Sequence, residues 1–297
     1  MNCEIIKSSF KKKSQYKNAN SYFPIEYIDK MNQQNYSEPT SKTYRYHFQR
    51  FLNHYIGIKP EDITDDQIRE YMLYLVQEKH YSASIQNNAI NSIKYYYNEV
   101  IHREIDCYYL PRPKKGKILP KILNELEISQ ILKSIKGLKN KCMIYLIYSA
   151  GLTPSELIYL KIEDIDSQKM QIFITSAKGD KDRFVVLSKK ILDLLRDYFK
   201  KYRPKKWLFE SYRGKQFSKR TIQKVLQNAV KESGINKPAT LTILRNSFAV
   251  HLLEKGIDIR YIQKMLGHKN CKTTMKYLRV SNRDLNAVIS PLDNLDI

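Results

Sequence analysis

The chain has 297 residues, 42% of them hydrophobic, enough for two compact domains and too apolar for a disordered chain. Its formal net charge of +22, from 52 basic against 30 acidic side chains, points to a polyanionic partner, nucleic acid first. No apolar run approaches the length of a membrane span, so no membrane partner is expected, and MNCEIIKSSFKKKSQYK at the N-terminus lacks the apolar core and cleavage site of a secretory signal.

Residues 1–22 read as a loose basic arm. Residues 23–105 read as a small helical bundle. In the stretch that starts at Ser41, the side chains of Tyr44, Phe48, Phe51, Leu52 and Tyr55 fall on one face. Thr64 to Gln67 form a capping box ahead of Ile68, Tyr71, Met72 and Leu75 at helical spacing. Ile85, Ala89, Ile93, Tyr96 and Val100 make a third stripe, and Tyr95, Tyr96 and Tyr97 suit bundle packing better than base stacking. Residues 106–121 include LPRPKKGKILPK, rich in proline and positive charge, and read as an extended linker along a phosphate backbone.

A second domain is expected over 122–285. Asn124 and Glu127 cap its first helix, with Leu123 stapling onto Ile128. Met143, Leu146, Ile147 and Ala150 line the next, which Gly151 ends. QIFITSAKGDKDRFVVL, residues 171–187, reads as strand, turn, strand. Helices are expected again at 189–200, 219–232 and about 243–255. Asp258 caps one more that Gly267 ends, and a short helix then carries Tyr277. The fold class is mostly α with a small antiparallel sheet. Cys3, Cys107, Cys142 and Cys271 form no CxxC pair, so neither a zinc site nor a disulfide framework is expected, and a reducing cytoplasmic setting fits.

This order of elements, with the residues on them, resembles the tyrosine recombinase (phage integrase) family over nearly the whole chain. SAGLTPSELIYLKIEDID (149–166) resembles the family's Gly-Leu-Arg-x-Ser-Glu-Leu segment, and SAKGDKDR (176–183) its lysine hairpin. LTILRNSFAVHLLEKGIDIRYIQKMLGH (241–268) resembles the His-x-x-Arg helix and the following Leu-Gly-His. Tyr277 sits at the nucleophile's spacing. The resemblance implies a core-binding DNA-binding bundle over 23–105, a catalytic-type domain over 122–285, and a tail, 286–297, that docks on itself or a neighbour through Val288 and Ile289, with Leu285 just ahead of it. Duplex DNA would be the partner, clamped between bundle and second domain, with self-association or association with an active recombinase on DNA. The reaction implied is cleavage through a 3′-phosphotyrosine, with no metal or cofactor required.

Carried over residue by residue, the resemblance makes Tyr277 the nucleophile, His268 the second histidine, Arg245 the second arginine and Lys178 the hairpin lysine that protonates the leaving hydroxyl. Lys181 and Arg183 are alternatives for that hairpin contact. Two positions depart from the pattern. Thr153 stands where the first arginine is expected and Thr242 where the first histidine is, and Asn246 follows Arg245 where a histidine is common. Loss of one preorganised donor to a developing oxyanion costs roughly 10²–10³ in rate, so activity is expected to be reduced or absent. Thr153-Pro154-Ser155-Glu156 instead reads as a capping box with proline at the first helical position. Two rivals remain. One is a working recombinase in which other cations, such as Lys161 or Lys181, take over. The other is a basic scaffold or RNA-binding protein that kept only the fold.

Overall fold

The computed structural model describes residues 23–105, 119–175, 182–211 and 214–281. The basic arm, most of the linker, the hairpin turn with Lys178 and Lys181, and the tail lie outside the described residues. The chain divides into two compact units, Met1–Lys117 and Ile118–Ile297.

The first unit contains α1 (Ile25–Gln33), α2 (Glu38–Leu52), α3 (Asp65–Gln77) and α4 (Ala83–Lys94). The Thr64 capping box starts α3: its hydroxyl accepts from Gln67 N at 3.3 Å and its own N–H reaches Gln67 Oε1 at 2.9 Å. α4 runs into a π-helical segment, Tyr95–Val100. Each π turn holds more residues than an α turn, which lets three consecutive tyrosines face inward. Tyr95, Tyr96 and Tyr97 are 5%, 1% and 0% exposed, so packing is what they do. Tyr96 and Tyr97 donate to Glu61 Oε1 (2.6 Å) and Pro60 O (2.7 Å), the partners that buried phenols need. The buried stripe differs from the expected one: Ile85 and Val100 are only half-buried, while Ile90 joins the core.

The second unit begins with α5 (Glu125–Lys133), started by the reciprocal Asn124–Glu127 box with both bonds at 2.8 Å. α6 (Leu138–Ala150) runs through the core and ends at Gly151, φ +64°. A Cβ there would stand 2.5 Å from the Phe248 ring, so the position requires glycine twice over. α7 (Pro154–Tyr159) follows at once.

A three-stranded antiparallel sheet comes next: β1 (Ile165–Asp166), β2 (Gln171–Ile174) and β3 (Arg183–Val186), in that order. β1 is a strand the sequence pattern does not announce, because two residues carry no alternation. The β2–β3 register pairs Ile172 with Val185 and Ile174 with Arg183. Alternation then turns Ile172, Ile174 and Val185 to the core and leaves Phe184 and Val186 exposed. Arg183 falls on the inward side.

The rest is helical: α8 (Lys189–Tyr202), α9 (Lys219–Ser233), α10 (Leu241–Glu254), α11 (Ile259–Leu266) and α12 (Cys271–Met275), the last passing into a 3₁₀ turn, Lys276–Arg279. α10 starts two residues before the expected point because Thr240 caps it, accepting from Ile243 N at 3.2 Å. The fold is mostly α with one small antiparallel sheet. Among the described residues, no helix is long and apolar enough to cross a membrane.

Gly151→Ala is expected to destabilise the chain by about 1–3 kcal/mol in urea unfolding. Gly256→Ala, at φ +86° with nothing within 4 Å of the added methyl, should cost clearly less.

Candidate active site

The 3₁₀ turn after α12 winds more tightly than an α-helix and puts Tyr277 against α10. The side chain is 2% exposed and its hydroxyl donates to Asn246 Oδ1 at 2.9 Å. Burial raises the phenol pKa, and the Arg245 charge works against that rise. Tyr277 is therefore a neutral, docked phenol at rest. Asn246 holds it from the position next to Arg245 on α10.

Arg245 is 12% exposed and its guanidinium is bonded on two sides. Nη1 donates to Gly151 O and reaches Glu156 Oε2 at 3.5 Å, and Nη2 donates to Leu266 O. The other oxygen of Glu156 pairs with Arg183 Nη1 at 2.9 Å. Arg183 also donates from Nε to Met265 O at 2.7 Å. One carboxylate thus serves two buried guanidinium groups. Burial by itself would raise the Glu156 carboxyl, but the Arg183 hydrogen bond and charge, the Thr153 N–H and Arg245 outweigh it and hold it below the ordinary carboxylate range. Burial lowers Arg245, yet a guanidinium stays charged. The Glu156 pair therefore leaves the site net positive.

Gly267 ends α11 at φ +68°. A Cβ there would press on the Arg183 guanidinium at 3.0 Å. The next residue, His268, packs its ring against Tyr277 with centroids 6.4 Å apart, and its Nδ1 bonds the Thr274 hydroxyl at 2.9 Å. Burial, then the charges of Arg245, Lys276 and Arg183, lower its pKa to about 4. The imidazole is neutral near pH ~7. A Thr274 hydroxyl donating to Nδ1 would put the ring proton on Nε2 and leave Nε2–H as a donor. Lys276 Nζ lies over the Tyr277 ring, 5.1 Å from its centre.

Residues 121–283 match the phage integrase family and residues 26–107 match the phage integrase N-terminal SAM-like domain. The chain belongs to the phage integrase family. Tyrosine recombinase XerA of Pyrococcus horikoshii is 34% identical over 258 residues, covering 85% of this chain and 87% of XerA. Tyrosine recombinase XerD of Listeria innocua is 31% identical over 246 residues, covering 77% and 82%. Among solved structures, the XerH site-specific recombinase bound to palindromic difH substrate superposes with a TM-score of 0.70 at 22% identity, over 92% of this chain and 89% of that one.

In this phage integrase family member, Tyr277, Arg245 and His268 come together. Thr153 lies beside them but as the N-cap of α7: its hydroxyl accepts from Glu156 N at 3.3 Å and its N–H donates to Glu156 Oε2 at 2.7 Å. Thr242 is exposed on the first turn of α10. Lys178 lies outside the described residues, as does Lys181. Lys161 pairs with Glu163 at 2.8 Å on the exposed surface. Arg183 is not the hairpin DNA contact weighed above, since at 8% exposure it is tied to Glu156 and Met265 instead. Strand alternation is the reason, because Arg183 stands two residues before the inward Val185. Glu156 as a double ion-pair partner, and Asn246, Thr274 and Lys276 as neighbours of Tyr277 and His268, were not singled out from sequence. Only Asn246 left a signal there, as a departure at its position.

The His268 shift has a stability consequence. The folded form binds fewer protons than the unfolded one between about pH 4 and pH 6.5, so stability rises with pH across that window and is lost as pH falls through it. The stability gap between the natural chain and His268→Gln should shrink from about pH 7 to about pH 4 in urea unfolding. A pH-independent gap would contradict a depressed imidazole.

Proposed function

We propose that this chain binds double-stranded DNA, that Tyr277 occupies the nucleophile position, and that its strand cleavage is impaired. The observation that carries the reading is the state of position 153. Arg245, His268 and Tyr277 are assembled around one spot, while Thr153 beside them is engaged in capping α7.

In the cleavage step, a bond forms from Tyr277 Oη to phosphorus as the bond from phosphorus to the 5′ oxygen breaks. The phenolic proton passes to water, and the leaving 5′ oxygen takes a proton, for which Lys178 is the proposed donor. The hydroxyl must first leave Asn246 Oδ1. Negative charge grows on the two non-bridging oxygens, where fixed donors act most strongly. Arg245 is the proposed guanidinium contact and His268 Nε2–H the proposed neutral donor. A second guanidinium at 153 would hold the oxygens in a planar fork. Threonine offers a short neutral hydroxyl in its place, a loss of roughly 10²–10³ in rate. Thr242 offers no imidazole. The threonine at 153 has a structural use, since an N-cap of this kind contributes about 1 kcal/mol.

A chain that binds DNA and cleaves it poorly suits a place beside an active relative, or a non-cleaving position in an assembly of its own copies. The charge of +22 fits duplex binding dominated by phosphate contacts.

The test is covalent trapping on nicked fragments of the source DNA, read as SDS-resistant adducts. The natural chain and Tyr277→Phe should give few or none, and Thr153→Arg with Thr242→His should raise the yield by about 10² or more. Abundant adducts with the natural chain, absent in Tyr277→Phe, would overturn the impairment. The same Thr153→Arg change should lower stability by about 1 kcal/mol through loss of the cap.

A further inference from the structure

None of the roles implied by the family resemblance falls on Lys276, yet it stands inside the site. It directly precedes Tyr277 at the start of the 3₁₀ turn, half-buried, with Nζ 5.1 Å from the centre of the tyrosine ring. Among the described residues it has no carboxylate or hydrogen-bond partner; its contact is the Tyr277 ring face. Burial and then the Arg245 charge lower its ammonium pKa, and its own charge is one of those that depress His268. Lys276, Arg245, His268 and Tyr277 therefore act on one small volume. The carboxylate of the site, Glu156, is already shared by Arg183 and Arg245. A cation held partly out of water with no counter-charge is unfavourable unless an anion completes it.

The other described cations that the sequence offers are placed differently. Arg183 is bound to Glu156 and Met265, and its remaining Nη2 is fully covered, without exposed surface for a ligand. Lys161 is paired with Glu163 at the surface.

We propose that Lys276 is a phosphate-contacting residue of this site, its ammonium joining Arg245 in binding the DNA phosphodiester where position 153 supplies no cation. The inference rests on the reading of Tyr277 as placed at a DNA phosphate. Lysine is a compact point charge on a flexible stem with three rotatable donors. It can donate to one non-bridging oxygen but cannot reproduce the two-oxygen fork of a guanidinium. It keeps its proton throughout the step, so the bond changes at phosphorus are unaltered. Lys276 thus sets how much cleavage survives the threonine at 153.

The test uses the full chain and inorganic phosphate at constant ionic strength, following the His268 imidazole resonances by NMR. The natural chain should show a saturable shift. Lys276→Gln, with Lys276→Ala as a second neutral variant, should weaken phosphate binding by about tenfold or more. Lys276→Arg should stay within about threefold. Unfolding curves of each variant verify that the fold is kept. A saturable shift of undiminished affinity in both neutral variants would overturn the role of Lys276 and leave the phosphate site standing. No saturable shift in the natural chain would overturn the phosphate site itself, and Lys276 with it.

Discussion

The Glu156 carboxylate lies between two guanidinium groups, 2.9 Å from Arg183 and 3.5 Å from Arg245. It also receives the Thr153 N–H that starts α7. Through these bonds one side chain joins α7, β3 and α10, three elements far apart in the chain. Arg245 extends the joint to the ends of α6 and α11 through Gly151 O and Leu266 O. Arg183 reaches the same end of α11 at Met265 O. The position of Tyr277 follows, because Asn246 beside Arg245 on α10 accepts its hydroxyl. Charges buried this deeply are tolerated only when paired and hydrogen-bonded. Removing one partner from such a group typically costs about 3–5 kcal/mol, because the remaining charge is left uncompensated.

The two glycines at this joint follow from the same constraint. Gly151 takes a left-handed conformation and lets the Phe248 ring approach. Gly267 does likewise and lets the Arg183 guanidinium in. Chemistry and stability meet at Thr153. An arginine there would add charge to a site already holding two guanidinium groups on one carboxylate, and it would remove the α7 cap. The threonine relieves both, and on the proposed reading cleavage is where the loss falls. Lys276, a cation with no carboxylate partner among the described residues, remains beside Tyr277.

Much of this was legible in the sequence because it is local. The capping boxes at Thr64, Asn124 and Thr153 span four residues each, and all three form. The helix-ending glycines at 151 and 267 also follow from short-range chemistry. The grouping of Tyr277, His268 and Arg245 came from family spacing. Contacts between distant segments were not legible. Glu156 already had a sufficient local role as a cap, so nothing in PSEL announced two arginine partners. Arg183 could have been read as inward from the alternation with Val185, but an arginine after a charged turn looks like a surface residue. The π segment at Tyr95–Val100 has no pattern of its own, and its effect is seen only in three tyrosines facing one core. Lys276 looked like any lysine on a short helix.

If Glu156 is the joint that holds these elements, its energy must be coupled to that of its partner. The direct measurement is a double-mutant cycle in urea unfolding at neutral pH, with Glu156→Gln, Arg183→Met and the two together. Strong coupling, about 2 kcal/mol or more, is the expected result, with the double variant far less destabilised than the sum of the single ones. Additivity to within about 0.5 kcal/mol would mean that the carboxylate and the guanidinium merely lie side by side. The site would then be held by something other than Glu156.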